Sequence, residues 1–295
     1  MLIQKNRKYE LIIGDYKNGN GLLIDNLQVS FDISKSSDNK AKTNSCAIEI
    51  YNLSNQSLKI LETDYPAAVF SAGYADIGIK RLFSGEVNLV TTRKSGTDRV
   101  TQIQMGSGYT DLNHKLLSSL VAPGRTLKDV FEEIRKALPG VARGVYNGTN
   151  LNNPILYGYP LTGTPKEMLN ELSQKYGLEW QIEDDVLYAH DKTRGNRESF
   201  ETAYVISSES GLIESAYYAN GDIRRSKKDE VKKQSVQWKM LLNPDIQAGD
   251  IVKLEDRLIQ GWYKIEDIRH NGSWRENAWY TECRATAIEK VTRNV

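Results

Sequence analysis

Apolar and polar residues alternate with a period of two over both ends of the chain, whereas the middle third follows helical spacing. In Leu27–Ile33 the odd positions are apolar and the even ones polar, the signature of a half-buried strand. Cys46, Ile48 and Ile50 mark one face of a second strand, and Phe83–Leu89 alternates again. Lys94–Asp98 reads as a hairpin loop into a strand over 100–105. One short helix interrupts the series, with Ser54 or Asn55 as cap and Leu58 and Leu61 on one face.

The period changes after Asp111. Leu127, Val130, Phe131, Ile134 and Leu138 recur at helical spacing behind the capping-box candidate Thr126–Asp129, and Pro139-Gly140 ends the helix. A second helix follows: Thr164 as N-cap, Pro165 in the first turn, Glu167 at the box position. Met168, Leu169, Leu172 and Tyr176 form its stripe, and Gly177 stands at the left-handed end. Leu178, Trp180 and Ile182 alternate as a strand, Asp184-Asp185 turns, and 186–190 returns. The polar stretch 191–199 reads as a linker. Val236, Trp238, Met240 and Leu242 then resume the strand pattern, Asn243-Pro244 stops it, and Gly249-Asp250 leads into 251–254. Strands over 261–270 and 278–287 are expected to pair around the loop Asn271-Gly272-Ser273.

This order predicts a β-rich α+β protein: two antiparallel β-barrel or sandwich domains, residues 1–110 and 196–295, flanking a small inserted α+β domain, 111–195. The arrangement suggests two related barrels without a residue-level repeat. A chain of 295 residues accommodates two or three such units.

Composition removes several function classes. Lys+Arg 39 against Asp+Glu 38 gives a net charge of +1, so nothing global favours nucleic acid or an anionic membrane as main partner. The apolar run Leu11–Ile13 is too short for a signal peptide, and no stretch is long and apolar enough to cross a membrane as a helix. Cys46 and Cys283, far apart on strand-like segments, suit buried small hydrophobes in a reducing compartment, so synthesis is expected in the cytoplasm.

Chemistry-bearing constellations are scarce. His114, His190 and His270 lie in separate segments without a metal-ligand pattern and read as ordinary surface or half-buried histidines. No GxSxG or helix-start cysteine offers a nucleophile. Glu183-Asp184-Asp185 and Glu198 are the only acidic sets to weigh as a glycosidase pair, and a hairpin turn and a solvated linker explain them better. Asn18–Gly21 is a turn rather than a phosphate loop, since no GK[ST] follows. The basic run Arg224, Arg225, Lys227, Lys228, Lys232 and Lys233 could meet phosphates, but Asp222, Asp229 and Glu230 interrupt it and no aromatic interleaves, which favours a solvated loop. No catalytic, cofactor-binding or metal site is expected. Aromatics are the remaining oddity: 16 Tyr and 5 Trp against 5 Phe. Trp262-Tyr263, Trp274 and Trp279-Tyr280 fit either a β-core or a protein contact surface.

Punctuation along the chain carries a resemblance. Leu241-Leu242-Asn243-Pro244, then Gly249-Asp250, Gly261 with Tyr263 and Ile265, His270 with Gly272, and Asn277 with Trp279 and Thr281 resemble the closing barrel of phage baseplate hub proteins. Glu49–Ser54, Ala72-Gly73-Tyr74 and Leu82–Glu86 are similar to that family's first barrel, and 163–189 to its inserted domain. The family is that of tube-capping hubs of contractile-tailed phages, Mu-like or late control D-like. The resemblance implies a non-enzymatic structural protein of the virion baseplate. Its homotrimer would present six quasi-equivalent barrels to the hexameric tail tube and meet the central spike or tip, other baseplate proteins and the tape measure protein. It implies no cofactor, no membrane insertion, and DNA only in passage. Alternatives are a tail-tip cell-wall hydrolase, a distal-tail or tube-like protein, and the base of a secretion spike.

Overall fold

Alternating strands need a partner on each edge, and here the two β-rich ends supply it to one another. The computed structural model describes residues 6–15, 20–38, 44–61, 67–106, 109–191, 204–219 and 235–288. The first end carries β1 (Arg7–Asp15), β2 (Asn20–Ile24), β3 (Val29–Ser36), β4 (Ser45–Tyr51), α1 (Asn55–Leu61), β5 (Ala67–Tyr74), β6 (Gly78–Ser95) and β7 (Asp98–Gly106). The middle carries α2 (Tyr109–His114), β8 (Leu117–Val121), α3 (Leu127–Lys136), β9 (Ala142–Asn147), β10 (Tyr159–Gly163), α4 (Pro165–Tyr176), β11 (Leu178–Glu183) and β12 (Val186–Asp191). The last end carries β13 (Val205–Ile206), β14 (Leu212–Tyr218), β15 (Ser235–Leu241), β16 (Ile251–Glu255), β17 (Gln260–Ser273) and β18 (Trp279–Ala287).

Two closed barrels are not what forms. Both ends join into one 13-stranded sheet in the order β14-β15-β18-β17-β3-β4-β7-β6-β5-β1-β2, with β13 and β16 branching from β17. Neither end closes on itself by hydrogen bonds among the described residues. The physical reason lies in β17. Its first part pairs with β16, and beyond a bulge between Ile265 and Asp267 its outer edge takes β3, from Asp267↔Ser36 to Ser273↔Ser30. The same pairing corrects the expected loop at Asn271-Gly272-Ser273. These residues stay in the strand, and the turn falls beyond it. A Cβ on Gly272 would lie 2.8 Å from Trp279 and closer still to the Phe31 ring, so glycine is required by close approach rather than by a turn.

The backbone pairing of the two ends coincides around a shared bulge. In the first, β6 pairs β5 up to Glu86, bulges between Val87 and Leu89, and continues along β7, which pairs β4. In the second, β17 pairs β16 up to Lys264, bulges between Ile265 and Asp267, and continues along β18, which pairs β15. Glu86↔Gly106, Val87↔Met105 and Leu89↔Gln104 match Lys264↔Thr286, Ile265↔Ala285 and Asp267↔Arg284. The outer strands take the same places, β3 on β4 and β14 on β15, but β14 shifts register twice where β3 runs unbroken.

Buried apolar residues fall into three clusters. The first gathers Tyr9, Phe31, Phe70 and Phe83 with Leu242 and Trp279 from the far end of the chain. The second, in the middle, packs Phe131, Ile134, Leu169, Leu172, Trp180 and Ile182. The third holds Val236, Trp238, Met240, Val252 and Ile265. Helices α3 and α4 start as their sequence predicts, with capping boxes at Thr126/Asp129 and Thr164/Glu167. Gly177 ends α4 at φ 66°, where a side chain would be strained. The tip beyond β17 fastens the ends together: the Trp274 indole donates to the Arg7 carbonyl and its ring meets Tyr9 edge-on.

Candidate functional site

A strand that buries both faces must put something chemically different on each. In β11, Leu178, Trp180 and Ile182 enter the middle core, while Glu179, Gln181 and Glu183 occupy the opposite face, and all six residues are buried. Taking two carboxylates out of water is costly unless cations and donors meet them. Each β-rich end supplies a lysine. Lys35 of β3 donates to Glu183 Oε1 at 2.7 Å, with side chains 4% and 3% exposed. Lys264 of β17 donates to Glu179 Oε2 at 2.6 Å, and the His190 ring lies 3.7 Å from the same oxygen. Between them the Gln181 amide donates to the Ala248 carbonyl at 3.3 Å.

The hairpin after β11 extends the grip on the first end. Asp184 meets Arg81 at 3.4 Å, Asp185 accepts from the Ser84 hydroxyl at 3.0 Å, and Asn44 donates to the Ile182 carbonyl at 2.9 Å. The equivalent positions just before the two bulges both face the middle: Lys264 holds Glu179, and Glu86 accepts from the Thr110 hydroxyl at 2.8 Å. The arrangement is a three-way clamp.

Electrostatics agree with burial. Desolvation pushes Lys35 down, but the charges of Glu183 and Asp184 outweigh it and hold its pKa above the ordinary lysine value. Burial raises Glu179, and Lys264 only partly reverses this. His270 sits fully buried with Nδ1 2.9 Å from Thr281 Oγ1; burial, helped by the Lys35 charge, lowers its pKa to about 3. Burial pushes both the Cys46 and Cys283 thiols up, and both are free.

The other face of the β3·β17 seam opens on a groove of about 710 Å³ lined by Ser34, Tyr217, Lys239, Arg269 and Arg284 among others. Its charges are arranged in pairs. Arg269 Nε donates to Asp32 at 2.8 Å, Arg284 Nε to Asp267 at 2.7 Å, and Lys239 lies 3.8 Å from Glu282.

The residues singled out by sequence are dispersed. His114 is exposed at the end of α2, whereas His190 and His270 are buried at the clamp and in the sheet. Glu183-Asp184-Asp185 is the expected hairpin turn, but it is docked against the first end rather than bathed in solvent. Among the described residues no group of His, Cys, Asp and Glu could hold a metal ion. The basic run 224–233 and Glu198 lie outside the described residues. Of the described aromatics, Trp279 and Tyr263 are core, while Tyr157, Tyr217 and Tyr218 are exposed. Sequence reasoning missed Lys35 and Lys264. Lys35 carried a signal, since it continues the inward odd positions Val29, Phe31 and Ile33.

The chain is a β-rich ladder whose two ends are tied to the middle by buried polar side chains, and several solved structures share this fold. The chain shares its fold with a tail protein from Neisseria meningitidis MC58 (TM-score 0.67, 14% identity, covering 96% of this chain and 97% of that one). The fold is shared with the 43 kDa tail protein of prophage MuSo2 from Shewanella oneidensis (TM-score 0.65, 11% identity, 95% and 98%). An E. coli component of the type VI secretion system, described as structurally similar to the T4 bacteriophage tail proteins gp27 and gp5, also matches (TM-score 0.64, 11% identity, 89% and 74%). No protein-family model matches the chain, and no curated protein does.

Proposed function

We propose that this chain is a structural baseplate hub of a phage or phage-derived tail, a homotrimeric ring that joins the hexameric tail tube to the central spike or tip. The observation that carries this reading is the duplicated ladder. One chain supplies two strand units in the same register, so three chains supply six to a six-fold tube, through interfaces that close around an axis. The shared fold of tail proteins supports it. The three buried clusters support a division into 1–110, 111–195 and 196–295, with the clamp on β11 holding the two tube-facing units at a fixed mutual position.

Cations already paired with Asp32, Asp267 and Glu282 offer DNA few uncompensated charges, so it passes without being gripped. The chain works in the virion baseplate after synthesis in the host cytoplasm. Its other neighbours there are further baseplate proteins and the tape measure protein. It has no enzymatic role, and the purified protein leaves peptidoglycan intact. The test is copy number in purified tails, by quantitative mass spectrometry. Three copies per tail support the hub; six indicate a distal-tail component, and a large stack a tube protein.

A further inference from the structure

Leu116–Gly124 and Gly144–Pro165 hold no charged residue, in a chain that is 26% charged. The two segments meet in the middle unit as β8 and β10, which pair from Tyr159↔Val121 to Gly163↔Leu117. One face of this two-stranded sheet enters the middle core through Val121, Tyr159 and Leu161. By the alternation of a strand the other face carries Ser118 and Leu120, with Leu116 just before them, and Pro160 and Thr162. Nothing covers it among the described residues: Leu116 is 78% exposed and Leu120 68%. The loop into β10 adds Leu156 at 71% and Tyr157 at 94%. A Cβ on Gly158 would lie 3.6 Å from Leu120 Cδ1, which sets this loop beside the sheet face. Four large side chains so exposed amount to on the order of 500 Å² of apolar surface, at the upper end for a monomer and of the size that marks contact sites. We propose that this face docks an extended segment of another protein, uncharged and apolar at alternate positions, with acidic residues at its ends.

The flanking charges select the partner. The first charged residues met on leaving the two segments are Lys115, Arg125, Arg143 and Lys166, all cations. Lys115 and Lys166 stand at the Leu117↔Gly163 end of the sheet, where Lys166 donates to Asn113 at 3.2 Å. Arg125 stands at the other end, where its carbonyl accepts from the Ile155 amide. The carboxylates closest to these segments are engaged: Asp129 by Thr126, Glu167 by Thr164 and Glu171 by the Tyr159 hydroxyl. An uncharged face between cationic ends suits an apolar segment with acidic flanks. A second copy of the same face would set cations against cations. An anionic lipid surface would meet the cations, but hydrocarbon would leave unpaired the Ser118 and Thr162 hydroxyls, directly opposite one another on this face. A polypeptide carries donors and acceptors for both. The outer edge of β8 has no strand beside it among the described residues, so its peptide groups can pair with an added strand. Alternate side chains of that strand then pack beside Leu116 and Leu120. Assigning the partner to the tail rests on the proposed function; the docking face does not.

Full-length chain with the photoreactive p-benzoylphenylalanine in place of Tyr157 is irradiated in assembled tails and, separately, in the producing cells, and the adducts are sequenced by mass spectrometry. The expected adduct joins the chain to one other protein through an uncharged strand of about 5–10 residues with Asp or Glu at its ends. Leu120→Asp lowers its yield at least about tenfold, and Arg125→Glu about threefold. Both side chains are exposed, so the isolated variants keep their melting temperature within about 2 °C. Leu120→Ser, milder should the aspartate disturb the fold, lowers the yield about threefold. Adducts only with lipid, with a second copy or with charged segments, or no adduct in either setting, overturn the inference. So does a yield that the Leu120 changes leave as it was. An adduct with a protein absent from the tail leaves the docking face standing and counts against the hub. Three copies per tail without an adduct overturn the docking face and leave the hub.

Discussion

The two β-rich ends share a strand order and a register but differ in how the outer edge of their long strand is finished. On β17 that edge is covered by β3, with Gly272 under the Phe31 ring; on β6 the counterpart of Gly272 is Lys94, exposed at an open edge. Backbone pairing has been repeated while side chains have diverged to suit a covered and an uncovered edge. What recurs is the place of the bulge, because a bulge sets which residues face the core on either side of it.

The largest effect is expected where the ends are tied to the middle. Lys35→Met strands Glu183 without its cation in a buried site and should cost about 3–5 kcal/mol in denaturant unfolding. The double change Lys35→Met with Glu183→Leu should recover most of that loss, since an apolar pair of similar volume replaces the ions. If the single change proves neutral, the clamp does not hold the ends in place.

His270 supplies a pH-dependent comparison. Its folded pKa is depressed to about 3 against an ordinary 6.5. The unfolded state therefore binds the extra proton between those values, so its contribution is complete above pH 6.5 and falls away below, at up to about 1.4 kcal/mol per pH unit. Glu179, whose pKa is raised, opposes this above its ordinary value, because there the folded state holds the extra proton. Thermal unfolding against pH should flatten between pH 6 and 4 in His270→Gln, and an unchanged slope would remove His270 from the account. At the matched edge positions, Gly272→Ala should cost about 1–3 kcal/mol by overpacking Phe31 and Trp279. Lys94→Ala, exposed on the open edge, should stay within about 0.5 kcal/mol in the isolated chain.

Much of the local structure was legible. Period-two alternation located β3, β4, β6 and β15, and capping boxes with Pro165 and Gly177 fixed α3 and α4. Two kinds of information were not. The strand pairing of β3 with β17 joins residues more than 200 positions apart, and no local pattern encodes a partner at that distance. Asn271-Gly272-Ser273 has turn composition, yet the glycine answers to a ring on the next strand. The clamp was half visible: Lys35 stands on an inward position and Glu179, Gln181 and Glu183 share one strand face, but only the fold brings the lysines and glutamates together.

The most direct measurement is a cryo-electron microscopy map of the assembled tail end, resolved well enough to trace strands. It should show three chains around the axis, presenting six equivalent ladders to the tail tube. A map with six chains around the axis, or one in which the two ladders of a chain sit in unlike positions about it, would contradict the account.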